Sequence, residues 1–490
     1  MSQPESRTHN PWISVIVVCI AQLMVVLDAT IVNVALPSIQ RSLHISAGNL
    51  QWIINAYTLT FGGFLLLGGR AGDVFGRRNL FFAGIVLFSL ASLVNGLASS
   101  AGMLIASRAV QGLGAALVSP ATLAIVNTTF SDPEGQRRAL GLWAGLSAGG
   151  SAIGLLLGGV LTQAFSWPWI FFVNVPIGAL GILLALRFVP DSRVEGAERS
   201  ADVAGALSIT GGLALLIYAI VGAQQHGWGS LRTLGLGAIA LALIGAFVLI
   251  ETRVRVPLVR LSVFRHKALA IGNASMLFIV AGMFANFFFG TLYVQNVLHF
   301  TPIGAGFAFL PVAVLIAVGA GLAQGLIPRL GIRPVAIAGL VIAAAGLLLM
   351  LRVTVTSTYA GTLLPSFIAL AVGIGIAFVP ATMISVNSVG AHDQGLASGL
   401  LNTAQQVGGA LGLAILSTIA VSHTAGLLAG IAHPSAHAQA VATVAGYRVG
   451  YAVASGFMLI AIGVLVLFLR DTHLEALELH AAEPAPAPAS

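Results

Sequence analysis

Residues 12–37 read WISVIVVCIAQLMVVLDATIVNVALP, and this stretch decides the class of the chain. It carries a single charge, Asp28, inside an otherwise apolar run. A helix needs about 20 apolar residues to cross the hydrocarbon, where its backbone groups must satisfy one another. The run is long enough to span. It is too long for the apolar region of a signal peptide, and it holds an aspartate.

The rest of the 490-residue chain repeats this composition, with 58% hydrophobic and only 8% charged residues. A soluble domain carries about 25% charged residues, so this chain cannot cover a water-facing surface. Disorder is excluded too, because it needs low hydrophobicity. The chain reads as an all-α polytopic membrane protein. Spans are expected near 12–37, 50–69, 79–98, 102–127, 139–163, 169–189, 203–223 and 233–250. Others are expected near 268–292, 304–327, 333–351, 360–382, 397–421 and 446–470. Fourteen spans put both termini on one side. With that side inside, seventeen basic residues fall in inner segments and four (Arg41, Arg232, Arg352, Arg448) in outer ones. The positive-inside rule makes both termini cytoplasmic. The net charge of +7 is scattered between spans, which gives topology rather than a nucleic-acid surface. Cys19 is the only cysteine, so no internal disulfide forms.

The chain also contains a copy of itself. At an offset of 260, Pro120-Ala121-Thr122 matches Pro380-Ala381-Thr382, and Val126-Asn127 matches Val386-Asn387. Gly135, Leu140 and Gly149 match Gly395, Leu400 and Gly409. This pairs the fourth and fifth spans with the twelfth and thirteenth. Two six-helix halves, 12–189 and 268–470, satisfy the pairing, with 190–267 as a linker holding two extra helices. Residues 1–11 form a cytoplasmic N-terminus, and the Pro/Ala-rich 471–490 reads as a disordered tail. Parallel six-helix repeats with a midplane site between them form a transporter architecture.

Charge inside a membrane is costly and marks function. Asp28 is the one acid well inside a span, and Arg108 the one deep base. At 1.5 Å per residue Asp28 lies about 24 Å along its span, and Arg108 about 9 Å below the outer start of the fourth, which puts both at similar depth. Two readings stay open: an ion pair locking two helices, and a protonation switch. Burial and a neighbouring arginine pull a carboxyl's proton affinity in opposite directions, so small movements can load or unload a proton.

Four motifs then bring a family into view. Leu27-Asp28-Ala29-Thr30-Ile31-Val32-Asn33-Val34-Ala35-Leu36-Pro37 resembles the first-helix signature of the 14-span drug:proton antiporters of the major facilitator superfamily. Gly69-Arg70-Ala71-Gly72-Asp73-Val74-Phe75-Gly76-Arg77-Arg78 is similar to the superfamily's loop between helices two and three. Arg108-Ala109-Val110-Gln111-Gly112-Leu113-Gly114 resembles its fourth-helix motif. Trp169-Ile170-Phe171-Phe172-Val173-Asn174-Val175-Pro176 resembles the start of its sixth. The resemblance implies the superfamily fold, proton coupling through Asp28 and Arg108, and a cytoplasmic gate built from Gly69, Asp73, Gly76, Arg77 and Arg78. A looser copy of the gate, residues 325–333, lacks the acid, so a weaker latch is expected there. Val74 replaces a frequent basic residue, which weakens one loop contact. Leu155 stands where the family's antiport motif carries proline. That departure leaves a lipid, glycolipid or metabolite exporter, or a proton symporter, as the alternative.

The glycines Gly145, Gly149, Gly150, Gly154, Gly158 and Gly159 recur at near-helical spacing, as close packing or a sliding hinge surface requires. Amides are costly against lipid, so Asn33, Asn55, Gln111, Asn286, Asn402, Gln405 and Gln406 either line a substrate cavity, with Phe287 and Phe288 beside Asn286, or hydrogen-bond between helices. Coupling charge in the first half and an aromatic, neutral second half suit an amphipathic organic substrate. His433 and His437 lack helical geometry across Pro434, so no metal site is expected. The single lysine, Lys267, follows His266 rather than glycine, so no ATP loop exists and no cofactor is expected. An embedded enzyme would need a deep cluster of catalytic groups that the sequence does not offer. The expected protein is a proton-driven antiporter and not an enzyme. Its expected setting is the bacterial cytoplasmic membrane, with protons, lipid and an amphipathic small molecule as partners, and a monomer as the working unit.

Overall fold

The computed structural model describes residues 11–130, 132–189, 202–390 and 393–470. The N-terminal segment, the 471–490 tail and part of the linker, with Arg193 and Arg199, lie outside the described residues. Among the described residues, fourteen helices occupy the expected positions. They are α1 (Pro11–Ser42), α2 (Trp52–Phe75), α3 (Arg77–Gly96), α4 (Ala101–Thr129), α5 (Pro133–Ala164), α6 (Asn174–Phe188) and α7 (Val203–His226). After them come α8 (Leu231–Arg253), α9 (Lys267–Asn296), α10 (Pro302–Leu330), α11 (Ile332–Leu349), α12 (Leu364–Val386), α13 (Gln394–Leu428) and α14 (Ala436–Phe468). A short turn, Trp169–Phe172, precedes α6.

Thirteen of these segments, α6 together with the turn before it, are long and apolar enough to span. The remaining one, α5, carries Glu134, Arg137 and Arg138 in its first turns and is free of charged residues from Ala139 onward. Several helices outrun the apolar runs. The second continues from its expected end at 69 to Phe75, because helical hydrogen bonding propagates until a residue stops it.

Local chemistry sets those ends. Asp132, Asp202 and Thr301 cap α5, α7 and α10 by accepting from Gly135, Gly205 and Gly304 N–H at 2.6, 2.7 and 3.1 Å. Pro133 and Pro302 follow as first helical residues, where a missing N–H costs nothing. Gly76 at φ 96° separates α2 from α3, and Gly331 at φ 87° separates α10 from α11. With ψ of 133° and 163°, both occupy backbone space open essentially to glycine alone. Gly76→Ala and Gly331→Ala are each expected to cost about 1–3 kcal/mol, read as a lower melting temperature in detergent. Unchanged melting in both variants counts against that strain.

Helix packing repeats with a shift of eight. In the first six helices, α1 packs on α4, α5 and α6, α2 on α4, and α3 on α4 and α6. In the last six, α9 packs on α12, α13 and α14, α10 on α12, and α11 on α12 and α14. Two reciprocal contacts join the groups, α5 with α10 and α13 with α2. Helices α7 and α8 form a hairpin that docks through α7 on α2 and α13. In α8 only Ala240 and Glu251 are buried, and its outer surface is apolar, as lipid contact demands. The two acids at the hairpin's ends have structural partners. Asp202 caps α7, and Glu251 accepts from Val259 N–H at 3.0 Å.

We call the face bearing Gly76 and Gly331 the loop face, and its opposite the far face. At the far face the two groups are tied together. Gln295 donates to the Val34 carbonyl at 2.7 Å, and Gln163 accepts from Ile303 N–H at 3.2 Å. Toward the loop face, Gly141, Gly145 and Gly149 of α5 and Gly321 and Gly325 of α10 have no described side chain or neighbouring helix within reach. Helices α2 and α13 meet nearer mid-length, where Thr403 donates to the Gly62 carbonyl.

Candidate functional site

Asp28 and Arg108 meet, as their depths predict. Arg108 Nη1 donates to Asp28 Oδ2, and the two residues are 0% and 1% exposed. Four helices supply the rest of the shell. From α4, Gln111 Nε2 donates to Asp28 Oδ1 at 2.8 Å, while its Oε1 accepts from Arg108 Nη1 at 2.7 Å. From α6, Asn174 Nδ2 donates to the same Asp28 Oδ1 at 2.8 Å. From α3, Ser92 Oγ accepts from Gln111 and Asn174 at 3.2 and 3.0 Å and donates to the Phe171 carbonyl at 2.9 Å. Asn95 donates to Gln111 Oε1 at 2.6 Å. From α2, the Ile53 carbonyl accepts from Arg108 Nε at 3.1 Å, and the Tyr57 ring lies 4.2 Å from the guanidinium carbon.

Burial of a charge pair is tolerable only when the remaining lone pairs and protons find partners. Here the carboxylate accepts three hydrogen bonds, and the guanidinium donates to three acceptors while stacking on an aromatic face. The network therefore ties α1, α2, α3, α4 and α6 to a single carboxylate. Whatever changes the charge of Asp28 acts on five helices at once.

Sequence reading made Gln111 a candidate for a substrate cavity. It is instead fully buried in this charge network, because its position three residues after Arg108 puts both on one helical face. Asn174, Ser92, Asn95 and Tyr57 were not singled out. Asn174 lies within the quoted sixth-helix motif, and Asn95 is an amide inside a span, so the same cost-of-burial argument could have found both.

The other candidates disperse. Asn33 donates to the carbonyls of its own helix, and Asn402 is exposed and does the same. Asn55 and Asn286 are buried, and neither amide atom of either finds a partner among the described residues. Phe288 is buried, whereas Phe287 is partly buried and stacks on Phe309 at 5.9 Å. Gln405 and Gln406 are half-buried, Gln406 facing Gly62. Of the glycine stripe, Gly154 and Gly158 press on Leu27, Thr30 and Ile31 of α1, Gly150 presses on Leu23, and Gly159 meets Pro302 of α10. At Gly145 and Gly149 an added Cβ would meet no described atom within 4 Å.

In the gate motif, Gly76 makes the turn and Arg78 donates to the Leu186 carbonyl at 2.6 Å, tying α3 to the end of α6. The second copy repeats this device, since Arg333 donates to the Val466 carbonyl at the end of α14 at 2.7 Å. The Asp73 side chain lies outside the described residues. Gly69, the first residue of the motif, does not make a close helix approach. One residue earlier, a Cβ on Gly68 would lie 2.1 Å from the Ala116 carbonyl, whereas at Gly69 the nearest atom would be 3.8 Å away.

Residues 18–413 match the Major Facilitator Superfamily. The chain belongs to that superfamily. It is 42% identical to the puromycin resistance protein pur8 of Streptomyces alboniger, over 95% of this chain and 92% of that one. It is 37% identical to the cephamycin export protein CmcT of Amycolatopsis lactamdurans, over 86% and 87% of the two chains. The tetracenomycin C resistance and export protein of Streptomyces glaucescens is 35% identical, over 84% and 76%. Among solved structures, a bacterial homologue of the human lysosomal transporter Spinster, inward-facing and unoccupied, shares the fold. It gives a TM-score of 0.66 at 17% identity and covers 98% of this chain and all of that one. The chain is thus a multi-pass membrane transporter of a superfamily of transporters, and its charge network lies inside the helix bundle of that fold.

Proposed function

We propose that the protein is a proton-driven exporter of amphipathic antibiotics in the bacterial cytoplasmic membrane, working by alternating access with the loop face in the cytoplasm. The observation that carries this reading is the fully buried Asp28–Arg108 pair, wired into five helices. The named activities of the relatives, resistance to puromycin and export of cephamycin and tetracenomycin, support the substrate class. The excess of basic residues on the loop face supports the orientation.

A proton reaching Asp28 neutralises the carboxylate that holds the network, which changes the balance between inward- and outward-open arrangements. Each proton moving down 100 mV supplies about 2.3 kcal/mol besides its pH term. The far-face ties of Gln295 and Gln163 support one of the two required states. Asn55 and Asn286 are the amides that substrate, or the other state, satisfies. A buried amide left without partners costs about 1–3 kcal/mol per group and is retained where it acquires a partner in function. The Gly76 and Gly331 turns, each latched by an arginine, serve as the cytoplasmic gate.

Everted vesicles holding an acid interior, reported by a quenched dye, test the reading. Puromycin is expected to collapse the gradient with wild type and not with Asp28→Asn. Puromycin-driven proton movement in the opposite direction would make the protein a symporter and defeat the export reading.

A further inference from the structure

We infer that Asn174 is a positioning residue that responds to the proton on Asp28: its side-chain amide donates to the carboxylate and turns over to accept from the carboxylic acid. This inference rests on the reading of Asp28 as the proton carrier. The network is wired for the ionised form. Asp28 accepts from Arg108, Gln111 and Asn174, and an ionised carboxylate can only accept. Ser92 has its hydroxyl proton on the Phe171 carbonyl and receives N–H donors from Gln111 and Asn174.

One atom breaks the pattern. Asn174 Oδ1 is buried and no donor reaches it, although the residue is 0% exposed. Turning the amide over about its Cβ–Cγ bond would carry that oxygen to where Nδ2 now lies, 2.8 Å from Asp28 Oδ1. While Asp28 is ionised, that orientation sets acceptor against acceptor, so the charge holds the amide in the pose that leaves its oxygen idle. A proton placed on Asp28 Oδ1 reverses the preference. The new O–H needs an acceptor, and the turned amide supplies Oδ1. Ser92 then loses the N–H from Asn174, and its own hydroxyl can turn from the Phe171 carbonyl to Asn174 Oδ1. The proton's arrival thus removes a hydrogen bond from the Trp169–Phe172 turn that leads into α6.

The charged and titratable groups facing this pair are Arg108 from α4 and Tyr57 from α2. Helix α3 presents Ser92 and Asn95, while α5 and α9 meet α1 through the uncharged Gly154, Gly158 and Gln295. Among the described residues, Asn174 is therefore the group with an unused acceptor within reach of the carboxyl.

The test is pH-difference infrared spectroscopy on the purified full-length protein in lipid nanodiscs, with carbon-13 at the asparagine side-chain carbonyls. Two bands are expected to titrate with one midpoint. One is an acid C=O band that Asp28→Asn removes, and the other an amide C=O band that Asn174→Leu removes, which moves to lower frequency as it gains a donor. An Asp28 band that titrates while the Asn174 band stays fixed overturns this inference alone. Absence of any Asp28 titration overturns it together with the proton reading. In liposomes, with puromycin as probe, Asn174→Leu is expected to lower proton-driven uptake about tenfold more than it lowers gradient-free exchange. Equal losses in both assays mean a merely structural amide and overturn the proposal. Asn174→Ser, whose hydroxyl rotates to donate or accept, is expected to return proton-driven uptake to within about threefold of wild type. It decides the matter if the leucine variant fails to fold, and a serine variant as impaired as an unfolded one counts against the inference.

Discussion

Asp28→Asn is expected to abolish proton-driven transport while leaving a folded, inserted protein. Asparagine keeps the volume and one acceptor of the carboxyl but can neither ionise nor exchange a proton at neutral pH. Without that exchange the gradient has no lever on the bundle, and a loss of about tenfold to a hundredfold in gradient-driven flux follows from typical coupling energies. Removing one partner of a buried pair typically costs about 3–5 kcal/mol, because the other charge is stranded. Arg108 is not stranded outright. It retains the Gln111 side-chain oxygen, the Ile53 carbonyl and the Tyr57 ring, and an asparagine oxygen can still face it. The variant should therefore melt lower than wild type yet insert normally and still exchange puromycin without a gradient. Dye-quenching in vesicles and melting of the purified protein separate the two effects. Gradient-driven transport at the wild-type rate would remove Asp28 from the mechanism.

Gly68→Ala and Gly69→Ala should act in opposite directions despite being neighbours on α2. A methyl group at 68 would lie 2.1 Å from the Ala116 carbonyl and 3.0 Å from its carbon, both backbone atoms of α4 that cannot step aside. Helix α2 must then shift away from α4, and overpacking of this kind costs about 1–3 kcal/mol or more. The displacement falls on the same helix pair that holds Ile53 and Tyr57 against Arg108, so transport should fall with stability. At 69 the nearest atom is Pro120 Cβ at 3.8 Å, an ordinary contact. Alanine there gains about 0.8–1.0 kcal/mol of helix propensity over glycine. Melting of the two purified variants decides this, and equal shifts would refute the assignment of the close approach to Gly68.

The charge network was legible in part. Asp28 and Arg108 announced themselves as the deep charges in a chain only 8% charged, and their depths matched along two helices. Asn174 and Asn95 carried the same signal in weaker form, since an amide inside a span also needs a partner. Gln111 was read as an amide that either faces substrate or bonds between helices, and the structure shows the second. Hydrophobic patterning cannot distinguish a polar group turned to a cavity from one turned to another buried polar group. The gate motif begins at Gly69, yet the close approach falls one residue earlier, at Gly68, because a motif gives the register of a pattern, whereas the approach depends on which face of α2 meets Ala116. Gly145 and Gly149 follow the helical stripe of Gly154 and Gly158, yet a Cβ there would meet no described atom within 4 Å, since a stripe does not say which of its members meet a neighbour.

The sequence by itself determined the membrane class, the fourteen helical segments, the duplicated pattern and the two buried charges. Those follow from local quantities: apolar length, capping residues, glycine and proline at helix ends, and the cost of charge in hydrocarbon. Only the tertiary structure decided that Asn174 and Ser92, from α6 and α3, complete the shell of Asp28 on α1, and that one oxygen of Asn174 is left idle. It also decided where the bundle closes, at Gln295 and Gln163. Those facts depend on how helices far apart in the chain rotate and meet, and a rotation of one residue exchanges a buried partner for an exposed one.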